Sequence, residues 1–228
     1  MSTNDRYILA RPSPAAPRRD GRDTRATIER EAARLFGDQG FRSTGMREVA
    51  EACGITPGAF YNHFSTKDQL LRTIILRLYD DLNGAVVNDL RKADGDPRHQ
   101  ISVVVEAMMK WLMRHPAEAR IAKREPTELD LDSQSEIRGR WRALRDRITD
   151  IVRAGTDLGY FDLPQPSDQM RDQAVATAIM ALIETMSQTY IGRTGSASIV
   201  TELVVVLCSR MVGASAQSPT IEPAVRYV

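Results

Sequence analysis

The chain of 228 residues is poor in several things. Its two cysteines, Cys53 and Cys208, stand far apart, among apolar neighbours and in no metal-ligand spacing. Both read as reduced packing residues, so neither a disulfide framework nor a metal site is expected. Three histidines, at 63, 99 and 115, are scattered, and there is no glycine-rich phosphate loop and no cluster of nucleophile and base. Nothing therefore points to an enzyme, and no cofactor is expected. No uncharged apolar run approaches the ~18 to 20 residues that span a bilayer, and arginine and proline stand where a signal peptide would be apolar, so a cytoplasmic protein without a membrane partner is expected. Charge of one sign is also missing, the net being +1. Residues 1–70 carry 11 Lys+Arg against 9 Asp+Glu, a bias too weak to argue for nucleic acid, so any such argument must rest on local arrangement.

A composition of 42% hydrophobic and 27% charged residues is enough to bury a core. Residues 1–22, with three prolines and five arginines and no periodic apolar pattern, read as a disordered basic tail, or as an arm able to reach phosphates or a minor groove. From Thr24 the pattern becomes helical, with Ile28, Ala32, Leu35 and Phe36 on one face and Gly40 as the stop. Met46, Val49, Ala50 and Cys53 predict a second helix of about two turns, with Glu48 three residues after Gly45 and Gly54 closing it. Thr56-Pro57 then supplies an N-cap followed by proline at the first helical position, predicting a third helix from Pro57 to near Phe64. Thr66 with Gln69 is a fresh capping box, opening a long fourth helix to about Arg91. Two short helices joined by Cys53-Gly54-Ile55-Thr56 form a helix-turn-helix pattern.

Aromatics make up only 6% of the chain, yet "GAFYNHF" at 58–64 concentrates four aromatic and imidazole rings in seven residues. Helical spacing divides them. Phe60 and Phe64, four apart, share the inward face against Ile28, Phe36, Val49 and Ala50. Tyr61, Asn62 and His63 point elsewhere with hydrogen-bonding tips. Gly58 and Ala59 present no bulk in the first turn, so the helix end can approach a duplex and its free N–H groups can meet phosphate. A carboxamide can pair with adenine N6 and N7 together, which singles out Asn62 for a base edge; Tyr61, His63 and Lys67 suit phosphate oxygens, with Thr44 and Arg47 gripping the backbone on the other side.

The span from Thr24 to Leu71, carried by "EAARLFGDQGFRSTGMREVAEACGITPGAFYNHFSTKDQLL", resembles the DNA-binding domain of the TetR family of bacterial transcriptional regulators. The resemblance implies an all-α homodimer: a helix-turn-helix domain of three helices plus a C-terminal helical domain that dimerises and binds a ligand. It carries DNA contacts onto Thr44, Arg47, Thr56, Pro57, Gly58, Tyr61, Asn62, His63 and Lys67. Two positions depart from the family pattern. Gly45 replaces the usual Ser or Thr cap, and Pro57 a frequent Lys. The expected organisation is an arm at 1–22, a DNA-binding domain at 23–70, a ligand-binding and dimerisation domain at 71–215 and a flexible tail at 216–228.

Beyond the break "ADGDP" at 93–97, an amphipathic segment ends at His115-Pro116, a charged helix runs from Ala117 to about Glu125, and a capping box at Ser133 to Glu136 is expected to open a helix bearing Trp141, Leu144, Ile148, Ile151 and Val152. The segments 170–190 and 197–212 are apolar around most of their circumference and must be covered on all sides, which predicts two helices at a subunit interface. "LVVVLC" has strand propensity but no partner strand, so it reads as helix. Met108, Met109, Trp111, Trp141, Leu144, Met180 and Ile183 are apolar enough to line a pocket, though such a stripe also suits plain core. Glu184 is the single charge between Asp172 and Arg193, either at a wet edge of the interface, the favoured placement, or as a polar anchor in the pocket. The expected function is a repressor that leaves a near-palindromic operator when a small hydrophobic inducer binds. The alternative is a constitutive or architectural DNA-binding protein without inducer.

Overall fold

The structure, a computed structural model, describes residues 21–163, 168–190 and 197–213. The expected arm, apart from its last two residues, and the expected tail at 216–228 lie outside them. The described chain is all helical: α1 (Gly21–Gln39), α2 (Met46–Ala52), α3 (Pro57–Tyr61), α4 (Lys67–Leu90), α5 (Pro97–Arg114), α6 (Pro116–Arg124), α7 (Leu131–Asp157), α8 (Gln169–Tyr190) and α9 (Ala197–Met211), with a 3-10 turn at Pro126–Glu128. "LVVVLC" is helical as expected. Among the described residues no helix is long and apolar enough to cross a membrane, and no group of three or more His, Cys, Asp or Glu could hold a metal ion.

Three helix ends differ from the sequence reading. The first helix starts at Gly21, three residues before Thr24. The third stops at Tyr61 rather than near Phe64, because the N–H groups of His63 and Phe64 both turn onto the Phe60 carbonyl, at 2.9 and 3.2 Å. The seventh begins at Leu131, since Asp130 and not Ser133 is its cap: the Asp130 carboxylate accepts from the Ser133 N–H at 2.7 Å. A carboxylate accepting from a backbone N–H at a helix start is stabilised in its ionised form, and the Asp130 carboxyl is correspondingly held below its ordinary value.

Two apolar clusters organise the molecule. The first joins α1, α2 and α3 around Ile28, Phe36, Val49, Phe60 and Phe64, and is completed by the first half of α4 through Leu70, Leu71, Ile74, Ile75 and Leu78. The second, built from α5, α7, α8 and α9, takes up Leu82 and Val86 from the second half of α4. One rigid helix thus belongs to both. The first cluster is not closed by its own three helices either, for Ile121 and Ala122 of α6 and Ile137 of α7 also enter it. The close crossing of α1 and α6 depends on Gly37, where an added Cβ would stand 3.3 Å from the Ala117 Cα. Ion pairs Arg77–Glu29, Arg120–Asp38, Arg42–Glu128 and Arg72–Glu136 tie the same elements together.

Both cysteines are buried and outside any disulfide, and burial pushes the Cys208 thiol up to about 12, where it is an inert packing group.

Candidate nucleic-acid interface and internal cavity

The short α3 is positioned by its ends and its rings. Thr56 caps it, its hydroxyl accepting from the Ala59 N–H at 3.2 Å, and Pro57 occupies the first helical position. Gly54 makes the preceding turn at φ +66, a conformation that disfavours a Cβ. Phe60 and Phe64 are 0% and 1% exposed, so both rings sit inside the first cluster. The opposite side is open: Thr56, Pro57, Gly58, Tyr61 and Asn62 are exposed, and His63 is partly so. Tyr61 is held without being buried, its ring edge-on to Phe60 at 5.6 Å. Asn62 falls at the C-cap, where its side chain projects from a turn rather than from mid-helix.

The flanking candidates differ in availability. Arg47 on α2 is exposed and makes no ion pair among the described residues. Lys67 is half-buried: its ammonium lies 4.3 Å from the Phe41 ring centre and donates to the Arg42 carbonyl at 3.3 Å. Burial lowers its affinity for a proton. Thr44 is 1% exposed and its hydroxyl donates to the Gly40 carbonyl at 3.0 Å, so this side chain closes the α1–α2 turn. A cation absent from the sequence reading, Arg25, lies over the Phe64 ring at 4.4 Å and donates to the His63 carbonyl at 3.4 Å, which brings the start of α1 beside the end of α3. The signal was weak, a lone arginine four residues before Glu29 on an amphipathic helix.

The second site lies between helices. A cavity of about 30 Å³ is lined by α4, α5, α6, α7 and α8, with Leu78, Leu82, Met108, Leu112 and Leu144 as apolar walls. That is room for one or two waters, so a ligand must displace the walls to enter. Tyr79, Lys123, Glu184, Ser187 and Gln188 make its polar end. The Trp141 indole N–H donates to Glu184 Oε1 at 3.2 Å. Burial pushes the Glu184 carboxyl up from its ordinary 4.5, and the Trp141 bond and the Lys123 charge oppose that shift. The Tyr79 hydroxyl is likewise raised from 10, by burial first and then by the Glu184 charge.

Of the sequence candidates, Met108, Leu144 and Glu184 line this cavity, and Trp141 reaches it through Glu184. Met180 and Ile183, 1% and 0% exposed, pack in the second cluster instead. Trp111 stacks on His115 at 3.9 Å and faces a groove between α1, α4 and α5. Glu184 lines the cavity. Ser187 and Gln188 lay three and four residues beyond it on the same helix face, a legible signal once Glu184 is placed.

A raised carboxyl makes folding favour the protonated form, so this group's contribution is fully present below the unfolded value and is lost as pH rises through the folded one. Glu184→Gln keeps an oxygen acceptor for Trp141 but never ionises. The variant is therefore expected to gain thermal stability relative to the natural protein as pH is raised from 4 towards 8, checked by paired melting curves; parallel curves over that range would contradict it.

This architecture, a capped short helix bearing polar tips above buried rings on a helical bundle, is that of a helix-turn-helix nucleic-acid reader. Residues 28–74 match the pattern of bacterial regulatory proteins of the tetR family, and residues 94–191 match the tetracyclin repressor-like C-terminal domain. The repressor KstR2 of Mycobacterium tuberculosis is 28% identical over 131 residues, covering 57% of this chain and 65% of its own, so the match spans just under two thirds of that relative. A bacterial regulatory protein of the tetR family from Rhodococcus RHA1 superposes with a TM-score of 0.75 at 28% identity, over 84% of this chain and 98% of that one. AibR, solved with isovaleryl coenzyme A and operator DNA, shares the fold at a TM-score of 0.70 and 20% identity, over 81% and 97%. The chain belongs to the TetR family. Members of that family are DNA-binding transcription regulators and not enzymes.

Proposed function

We propose that the protein is a homodimeric transcriptional repressor of the cytoplasm that binds a near-palindromic operator through α2 and α3 and leaves it when a small apolar effector enters the α4–α8 cavity. The observation that carries the reading is the exposed row Thr56, Pro57, Gly58, Tyr61 and Asn62 above the buried rings of Phe60 and Phe64. In each subunit α3 would enter a major groove, the two grooves lying about 34 to 36 Å apart. Residues 23–70 serve as the reader and 71–215 as sensor and dimer. The dimer reading is supported by Ile199, Leu203 and Val206 on α9, which are 68%, 47% and 45% exposed and lie on one helix face. Such an apolar stripe calls for a cover, and α8 contributes Ala174, Ala178 and Ala181 on its own open side.

Release works through α4. Lys67 at its start lies beside the reader and Tyr79 lines the cavity, about 18 Å further along the axis at 1.5 Å per residue. An effector that favours a conformation with opened walls lowers DNA affinity by its differential affinity for the two states. The complex of AibR with isovaleryl coenzyme A and operator DNA is in keeping with a small-molecule effector.

The test is selection of bound sequences from random duplex DNA, followed by two variants. Asn62→Ala is expected to relax base preference at one position of each half-site, with about ten- to hundredfold loss of discrimination there. Arg47→Ala should weaken operator and random DNA alike and flatten the salt dependence by about one phosphate contact. Equal losses on both DNAs for both variants would remove Asn62 from base reading, and no enriched sequence at all would sink the repressor.

A further inference from the structure

The cavity offers its polar groups in an unusual combination. Among the described residues the Tyr79 hydroxyl has no hydrogen-bond partner, although it is raised by burial and feels the Glu184 charge. Glu184 spends one oxygen on the Trp141 N–H and keeps acceptor capacity for more. One neighbour is thus a donor in need of an acceptor, and the other an acceptor in need of a donor.

We propose that this cavity recognises an uncharged aliphatic alcohol, whose oxygen accepts from Tyr79 and whose O–H donates to Glu184 while its hydrocarbon chain displaces the walls at Met108 and Leu112. The inference rests on the ligand-responsive reading above and names the chemistry of its effector. A hydroxyl is both donor and acceptor, so it completes both residues at once. A carboxylate only accepts, so it leaves Glu184 without a donor. An ammonium only donates, which leaves Tyr79 unsatisfied. The remaining walls are leucine and methionine, and methionine's unbranched thioether yields readily to an alkyl chain.

Titration calorimetry of the full-length protein with 1-octanol, octanoate and octylamine tests this without DNA. Octanol is expected to bind at one site per chain, and the two ions at least tenfold more weakly. Tyr79→Phe and Glu184→Leu are each expected to weaken octanol about tenfold and to narrow the gap between octanol and the ions, a change in selectivity that mere loosening of the fold would not produce. Octanoate or octylamine binding as tightly as octanol, octanol binding unchanged in Tyr79→Phe, or no binding of octanol would each overturn the proposal. The effector reading is scored apart, by adding octanol to the protein on its selected DNA: binding without release retains the alcohol site and rejects the effector role.

Discussion

Gly155→Ala is expected to destabilise the protein by about 3 kcal/mol, against the ordinary preference of a helix interior for alanine over glycine by about 1 kcal/mol. An added Cβ at this position would stand 2.2 Å from two atoms of the Phe161 ring. The ring has nowhere to go. It is 5% exposed within the second cluster, and the Phe161 and Tyr160 N–H groups both donate to the Gly155 carbonyl, at 3.1 and 2.8 Å. The strap formed by residues 160–162 is pinned from the other side as well, where the Asp162 N–H donates to the Val212 carbonyl at 3.0 Å. Relief therefore means expelling an aromatic side chain whose loss from a core costs about 3 to 5 kcal/mol. Chemical denaturation at fixed protein concentration reads the difference, concentration being held because any self-association would add to apparent stability. In Gly155→Ala/Phe161→Leu the clash is reduced, and the double variant should lose less than the sum of the two single losses. A Gly155→Ala protein within about 0.5 kcal/mol of the natural one, the range of an ordinary surface change, would show that the strap can give way.

Gly58→Leu is expected to do the reverse, leaving the fold intact while lowering operator affinity about a hundredfold. Nothing in the protein opposes a side chain here: the nearest atom to an added Cβ is the Thr56 hydroxyl oxygen at 4.0 Å. Stability should hold or rise slightly, since leucine suits a helix better than glycine. The cost falls on the partner. Gly58 is exposed in the first turn of α3, whose open N–H groups can approach a phosphate only as closely as their side chains allow. A bulky residue pushes the helix end outward and misplaces Tyr61 and Asn62 together, so several contacts are lost at about 1 to 3 kcal/mol each. Paired measurements of melting temperature and DNA affinity decide it: unchanged affinity for the selected sequence would mean that α3 does not approach the duplex by this end.

The two variants mark a division that runs through the molecule. The helix starts after Thr56 and Thr66 were legible because a cap is a local event, set by one side chain and an N–H within three residues of it. The inward turn of Phe60 and Phe64 was legible because spacing by four on a helix puts two rings on one face. The end of α3 was not, since the residues after Tyr61 carry no stop signal and the chain closes through competing bonds to the Phe60 carbonyl. Nor could the sequence separate Thr44, turned inward onto Gly40, from Arg47, which stays free.

The internal site shows the same limit more sharply. Met108, Trp111 and Met180 look alike in composition, yet one lines the cavity, one stacks on His115 and one fills the core. What separates them is where α4, α6 and α8 converge, and no local pattern encodes that. Sequence alone determined the helices, the caps at Thr56 and Thr66 and the inward face of Phe60 and Phe64, because those follow from interactions among neighbours along the chain. Tertiary packing alone decided that Tyr79, Trp141 and Glu184 meet and that Phe161 lies on Gly155, because those contacts join residues whose separation along the chain says nothing of their distance in space.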